Sequence, residues 1–390
     1  MLDFFRKPIF SNFRFIFGIY AVAALFVSLT TVFRDGSNNY SIFYYSLEHL
    51  INGQSLYNTY PAQYGDHYHY APSFAAIFSP VFALPYNLGL FSWHFLFTAI
   101  WVYAIWRMPF TRQQKVFAYW FTLQELYTSI GNSQTNPLIA AIPLLAFLAF
   151  EKKAPFWAAF FIMFGFSVKI YSLVAAALFL LYPQKGRFLV YLVLWGLLLA
   201  LPGLLFTPPE TLVWQYDLWV KQLLIKSDHD KWANNSIHIL THRFLSPDVP
   251  TPVIIGLGVA LFCTVYARYK RFAETHYKML LLASVLIFQV IFNPASESPT
   301  YIIAVTGVLL WWFYGPKAKL DRALLIICFV FTILSPTDIF PPYLRQEIFR
   351  PYGIKAIPCV LIWFRILYLM LLPPAPINSP QPTLNQAVDA

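Results

Sequence analysis

Apolar residues fill long runs separated by short polar connectors over most of this chain. Many runs reach about 15 to 22 residues, which suits a hydrocarbon core about 30 Å thick. Backbone groups in lipid need internal hydrogen bonds, and strands would show alternating polarity, so these runs are predicted to be helices. The pattern predicts an all-α, polytopic membrane protein with about 12 transmembrane helices. We expect one domain over residues 1–372 and a disordered tail at 373–390, which is rich in Pro, Asn and Gln.

Two apolar runs do not suit a simple span. Residues 72–85 are short and interrupted by prolines, which predicts a re-entrant or tilted half-helix. Residues 154–182 would be about 43 Å long as one helix, and basic residues flank both ends. We therefore expect this run to turn back near 168–170 as a hairpin of short helices with Lys169 at its tip.

Three larger polar segments, 34–71, 207–250 and 336–354, are predicted to lie outside the membrane on one face. In the first of them, apolar residues of 40–51 recur at helical spacing, which predicts a helix lying on the membrane surface.

Composition and charge agree with this topology. The chain is 58% hydrophobic and 11% charged, with a net charge of +10. Basic residues cluster in short connectors that alternate with basic-poor ones, as expected for cytoplasmic loops. This predicts a multi-pass protein of the cytoplasmic membrane with a retained first span, both termini cytoplasmic and an extracytoplasmic active face. The dispersed charge argues against a nucleic-acid partner, and the three cysteines have no metal-site spacing.

The first polar segment carries the densest candidate chemistry. Asp35 and Asp66 could act as a general base on a hydroxyl, or could instead cap a helix and close a turn. His67 and His69 could bind a metal, or donate to phosphate or sugar oxygens together with Tyr70, or serve as interfacial aromatics.

Further polar groups lie at the ends of apolar runs. Gln134 and Asn136 belong to an amide cluster that is either a capped turn or a binding surface. Lys169 is either a snorkelling lysine or the counter-charge of a lipid-linked phosphate. Glu297 either sits in a structural turn or faces a cavity, and Glu125, inside an apolar run, requires a buried partner.

The order of several short motifs resembles one known family. The similarity extends from about residue 12 to about residue 314, and no single motif decides it. The motifs are GQSLY (53–57), YAPSF (70–74), GNSQTN (131–136), FSVKIYSL (166–173), NNSIHILTHRFL (234–245) and NPASESPTYIIA (293–304). Together they resemble the family-87 glycosyltransferases of the GT-C class, which include polyprenyl-phosphate-mannose-dependent enzymes.

The resemblance implies inverting transfer of a sugar from a polyprenyl-phosphate carrier to a hydroxyl of a glycolipid or glycan acceptor. Mannose is the family's best-known donor sugar, and no metal or other cofactor is expected. A first-loop carboxylate would be the base, and basic side chains would hold the phosphate, here Lys169 with His67, His69 and Arg243. The remaining substrate-binding candidates are Asn39, Tyr70, Gln134, Asn136, Asn235, His238 and Glu297.

One position departs from the family pattern. An aspartate often precedes the aromatic run of the surface helix, and this chain has Asn39 there, which cannot act as a base. Either Asp35 or Asp66 takes that role, or the chain is a non-catalytic homologue. A transporter or lipid flippase is a further alternative, although the sequence has no visible inverted repeat.

Overall fold

The computed structural model describes residues 7–229, 235–246 and 249–373. Helices make up this structure, and no β-strand occurs within those three ranges. The α-helices are, in chain order, α1 (Phe13–Phe33), α2 (Asn38–Ile51), α3 (Pro72–Ile77), α4 (Ser79–Phe82), α5 (Tyr86–Arg107), α6 (Arg112–Gly131), α7 (Asn136–Glu151), α8 (Pro155–Val168), α9 (Lys185–Ala200), α10 (Pro209–His229), α11 (Ile237–Phe244), α12 (Thr251–Cys263), α13 (Thr275–Ile291), α14 (Tyr301–Tyr314), α15 (Lys319–Cys328) and α16 (Ile357–Leu371).

Tighter and wider helical turns join or extend these helices. The 3₁₀ segments are Pro8–Ser11, Ile170–Leu181, Pro202–Leu205, Thr264–Arg271, Ser298–Thr300 and Ile354–Ala356, and the π-helical segments are Phe329–Leu334 and Leu344–Phe349. The tail predicted at 373–390 lies outside the described residues from 374 onward.

Five helical stretches are long and apolar enough to cross a membrane: Phe13–Phe33, Tyr86–Arg107, Lys185–Leu205, Thr251–Arg271 and Ile354–Leu371. Five more apolar helices are shorter, with 10–17 residues each. The prediction of a helical, polytopic membrane protein is therefore confirmed. The count of about 12 spans stays a prediction.

By their internal contacts, the described residues form two units. Unit 1 comprises residues 7–102, 126–176 and 184–229, and unit 2 comprises 103–125, 177–183, 235–246 and 249–373.

In unit 1, helix α8 packs between α7 and α9. Helices α8 and α9 run parallel, because Phe156 contacts Tyr191 near the start of both helices and Phe160 contacts Trp195 further along both. The chain between two parallel helices has to return to the level at which it began. It does so after Lys169, whose backbone is extended (φ −142°, ψ 118°). The predicted reversal at Lys169 is confirmed, with 3₁₀ geometry in the returning segment.

The segment predicted as the second outer loop, 207–250, begins with a helix. Helix α10 buries Leu212, Gln215 and Trp219, which lie three and four residues apart and so share one helical face. The Gln215 side chain accepts from the backbone N–H of Leu56 at 3.0 Å and donates to the carbonyl of Gln54 at 2.6 Å. Helix α10 therefore fixes part of the first polar segment, 34–71. Residues 230–234 and 247–248 lie outside the described residues.

Unit 2 has its core at α13, α14 and α16. A Cβ at Gly307 on α14 would lie 2.7 Å from the carbonyl oxygen of Ala283 on α13, so glycine allows the close approach of these helices. On α16, the indole of Trp363 donates to the hydroxyl of Ser284 at 2.9 Å. Apolar packing and a few paired polar groups thus hold this unit together.

Candidate active site

Asp35 closes helix α1. Its backbone N–H bonds to the carbonyl of Val32, and the N–H of Gly36 bonds to the carbonyl of Thr31, which is the Schellman pattern of a helix end. Asp35 adopts φ +61°, a left-handed conformation that glycine and asparagine adopt most easily. Ser37, whose hydroxyl accepts from the N–H of Tyr40, caps the next helix α2 instead. The Asp35 side chain is exposed at this turn.

Asp66 lies in a segment bonded to the start of α2. The N–H of Gly65 donates to Oδ1 of Asn38 at 2.7 Å. The Asp66 carboxylate is exposed and accepts from the N–H of the next residue, His67, at 2.7 Å. Both candidate bases therefore lie close in sequence or by hydrogen bond to the N-terminal end of α2, and both are accessible.

Hydrogen bonds join the start of α2 to the amide cluster at 131–136 and to Lys169. Nδ2 of Asn39 donates to the carbonyl of Asn132 at 2.8 Å. Within the amide cluster, Nδ2 of Asn136 donates to Oε1 of Gln134 at 2.6 Å. Nζ of Lys169 donates to Oδ1 of Asn136 at 2.7 Å. Four of the predicted site residues are thus connected through one amide-rich turn.

Buried side chains that the sequence reasoning missed hold this turn. Ser133 has φ +51°, and its carbonyl accepts from the indole of Trp93 at 2.9 Å. His94 is hydrogen-bonded through Nε2 to the Ser133 hydroxyl and through Nδ1 to the Ser28 hydroxyl, each at 3.0 Å. A histidine inside the apolar run of α5 was the available signal, since a buried imidazole needs partners.

The other candidate residues of the first polar segment, His67, His69 and Tyr70, differ in exposure and in their contacts. His67 is exposed, and its ring centroid lies 6.2 Å from that of the half-buried His69. The carbonyl of His69 accepts from the indole of Trp219 at 3.3 Å. Tyr70 packs against Phe74, with 4.4 Å between ring centroids. This packing explains Tyr70 locally, and its role toward a substrate stays a prediction. Within the described ranges, no three His, Cys, Asp or Glu side chains gather as metal ligands would.

Asn235 and Glu297 line a cavity of about 510 Å³ in unit 2. The N–H of Asn235 donates to the carbonyl of Ser296 at 2.7 Å, and its carbonyl accepts from the hydroxyl of Tyr301 at 2.6 Å. The full lining is Asn235, Glu297, Ser298, Pro299, Ser335, Pro336, Arg345, Gln346, Phe349, Arg350 and Lys355. Two cations of this lining, Arg345 and Arg350, lie in the polar segment 336–354, where no clear periodicity pointed to them, and Lys355 follows directly after it.

His238 and Arg243 do not line this cavity. The buried imidazole of His238 donates through Nε2 to the carbonyl of Phe292 at 3.2 Å, and burial lowers its pKa. Arg243 is exposed and donates through Nε to the carbonyl of Pro351 at 3.1 Å. Both residues connect α11 to neighbouring segments of unit 2.

Glu125, which was expected to need a buried partner, has one. Nζ of Lys355 lies 2.7 Å from Oε1 of Glu125, and both side chains are almost completely buried. The prediction of a partner is confirmed, and the partner is a residue that the sequence reasoning did not name.

These features define a class: a helical membrane protein whose candidate site residues include carboxylates, amides and a lysine at helix ends. The sequence model of glycosyltransferase family 87 matches residues 68–294, more than half of the chain. The chain belongs to glycosyltransferase family 87 and is a glycosyltransferase. The comparison with curated proteins finds no match.

Proposed function

We propose that this protein transfers a sugar from a polyprenyl-phosphate carrier to a hydroxyl of a glycolipid or glycan acceptor. The reaction takes place on the extracytoplasmic face of the cytoplasmic membrane, with both termini cytoplasmic, and mannose is the first sugar to test. No metal or other cofactor takes part, so transfer should continue in the presence of EDTA.

The observation that supports this most is the hydrogen-bonded series from Asn39 through the amide turn to Lys169. It belongs to the same unit as two exposed carboxylates at the start of α2. Carboxylates can take a proton, amides can bind sugar hydroxyls, and a lysine can neutralise a phosphate.

The chemistry is a single displacement. Asp35 or Asp66 removes the proton of the acceptor hydroxyl, and the acceptor oxygen attacks the anomeric carbon from the face opposite the leaving group. The bond from that carbon to the phosphate oxygen breaks, and the phosphate leaves on its lipid. The configuration inverts, and cations stabilise the departing phosphate. In this proposal Lys169 is that cation, assisted by His67 and His69 of the same unit.

The test is transfer of radiolabelled sugar from a polyprenyl-phosphate donor by the purified protein, with a membrane-lipid extract as the acceptor. Asp35→Asn and Asp66→Asn separate the two candidate bases. We expect one of them to lower the rate by a factor on the order of 100 to 10,000, the usual contribution of a general base.

Two features of these variants make the result interpretable. Asparagine and glycine both adopt the left-handed conformation of residue 35, so Asp35→Asn and Asp35→Gly should preserve the end of α1. In Asp66→Asn the amide oxygen can still accept from the N–H of His67. Full transfer by the Asp35→Asn, Asp66→Asn double variant would exclude both bases. Uptake of substrate into sealed vesicles without product would instead favour a transporter or flippase.

A further inference from the structure

The cavity of unit 2 lies almost entirely outside the region that defines the family. Of its lining residues, only Asn235 falls within the matched range 68–294. Three cations, Arg345, Arg350 and Lys355, and one carboxylate, Glu297, line it. The family match therefore assigns no role to this cavity.

A buried network holds one of these cations in place. Lys355 is 4% exposed and Glu125 is 0% exposed, and their Nζ and Oε1 atoms lie 2.7 Å apart. Nζ of Lys355 also lies 5.1 Å from the ring centroid of Tyr301, whose hydroxyl donates to the carbonyl of Asn235. An ammonium held between a carboxylate and an aromatic face loses little freedom when a ligand arrives.

Two other groups of the lining have unused hydrogen-bonding capacity. The terminal NH2 nitrogen of Arg345 pairs with the exposed Asp338 at 2.8 Å. Nε of Arg345 is buried and has no hydrogen-bond partner among the described residues, and the same holds for the hydroxyl of Ser298. Buried polar groups without partners are costly unless a ligand or water satisfies them. Both groups can donate to an anionic oxygen.

We infer that this cavity binds a phosphate group attached to a hydroxylated unit. Arg345 and Arg350 bind the phosphate oxygens, because guanidinium groups match their geometry. Lys355 adds a fixed positive charge. The Glu297 carboxylate caps the turn at Ser298–Thr300, and it can also accept hydrogen bonds from hydroxyl groups of the ligand.

Two sources could supply this chemistry: a second molecule of the sugar-phosphate donor, in addition to the one that Lys169 serves, or a phosphorylated polyol headgroup on a membrane lipid. The inference rests on the proposed function only for the first source. Direct binding to the full-length purified protein distinguishes them, with three probes: a polyprenyl-phosphate sugar, phosphatidylglycerol and an uncharged polyprenol.

The decisive variants are Arg345→Gln and Arg350→Gln, which keep a polar side chain of similar length. Arg322→Gln is the matched control, since Arg322 is exposed at α15 and does not line the cavity. We expect each cavity variant to weaken binding of one phosphorylated probe by roughly tenfold, as loss of a charged hydrogen bond does. Polyprenol binding and the control variant should be unaffected. The affected probe identifies the source.

Glu297→Gln provides a second, independent measurement. It should weaken binding of the phosphorylated probe, whereas inorganic phosphate, added as a competitor, should displace that probe as well as it does in the wild-type protein. Unchanged affinity for both phosphorylated probes in the Arg345→Gln, Arg350→Gln double variant would overturn the inference. Cavity-dependent binding without any sugar transfer would leave the inference standing and remove the proposed function. Normal transfer together with cavity-independent binding would do the reverse.

Discussion

Two lysines, one in each unit, show how differently this protein holds a positive charge. Lys169 is half-buried at the break between α8 and the following 3₁₀ segment and donates to the amide oxygen of Asn136 at 2.7 Å. Lys355 is fully buried and donates to the carboxylate of Glu125 at the same distance. The contact length is equal, but the partner and the surroundings differ.

That difference separates a charge held at one position from a charge that can move toward a substrate. A buried ion pair depends on both partners, because losing one leaves an uncompensated charge away from water. A half-buried lysine bonded to an amide can adjust its position along the flexible stem and can approach a phosphate. We therefore expect Lys355 to matter most for stability and Lys169 to matter most for turnover.

The largest effect on stability is expected from breaking the buried pair. Lys355→Met leaves the Glu125 carboxylate without its partner and should lower the free energy of unfolding by about 3–5 kcal/mol. The Lys355→Met, Glu125→Gln double variant removes the charge and should recover part of this loss. Thermal unfolding of the purified protein measures both. Lys319→Met, at the exposed start of α15, is the control. Equal melting temperatures for Lys355→Met and this control would show that the ion pair does not contribute to stability.

A smaller loss of stability is expected when Lys169, the lysine of unit 1, is replaced. Removing one hydrogen bond to a charged group costs about 1.5–3 kcal/mol when it is fully buried. Lys169 is only half-buried, so Lys169→Met should shift the melting temperature less than Lys355→Met does. Its effect on kcat/KM should be stronger, by about tenfold or more if Lys169 stabilises the leaving phosphate.

Lys169→Arg tests whether the positive charge itself is needed, because it retains the charge while changing the shape of the donor. Partial activity in Lys169→Arg together with loss in Lys169→Met would support a role for the charge. Equal kcat/KM in the wild-type protein and Lys169→Met would limit Lys169 to a structural role.

The same contrast shows what the sequence could predict. Apolar runs predicted the helices well, and charge at both ends of 154–182 predicted the reversal at Lys169, because membrane topology depends on hydropathy and flanking charge. Glu125 was expected to need a partner, but a single sequence does not reveal that Lys355, 230 positions away, supplies it. Helix α10 was missed because its polar exposed face hides the spacing of Leu212, Gln215 and Trp219.

The candidate site was predicted only in part, because the sequence shows local patterns and not contacts between distant residues. Polar residues inside or next to apolar runs stood out, which led to Asn136 and Lys169, and the structure connects them. The cavity of unit 2 combines residues from five separated stretches of the chain, so no local pattern could reveal it. His94 stood out less than a charged residue would, although its two serine partners make it central to the amide turn.

The smallest effect concerns two buried histidines, one in each unit. Burial lowers the pKa of His49, which is hydrogen-bonded to the amide oxygen of Gln63 at 2.8 Å, and likewise that of His238. Each folded-state pKa is below the usual value of about 6.5, so the unfolded chain binds protons first as the pH falls. Stability should therefore be complete above about pH 6.5 and decrease below it. The decrease is modest because the hydrogen bonds to Gln63 and to the Phe292 carbonyl favour the charged imidazoles and oppose the shift.

Melting temperatures of the wild-type protein, His49→Gln and His238→Gln between about pH 5 and 8 measure this dependence. In each variant the melting temperature should decrease less below about pH 6.5 than it does in the wild-type protein. The size of this difference compares His49 of unit 1 with His238 of unit 2. If both variants follow the wild-type profile, the acid sensitivity does not arise from these two imidazoles.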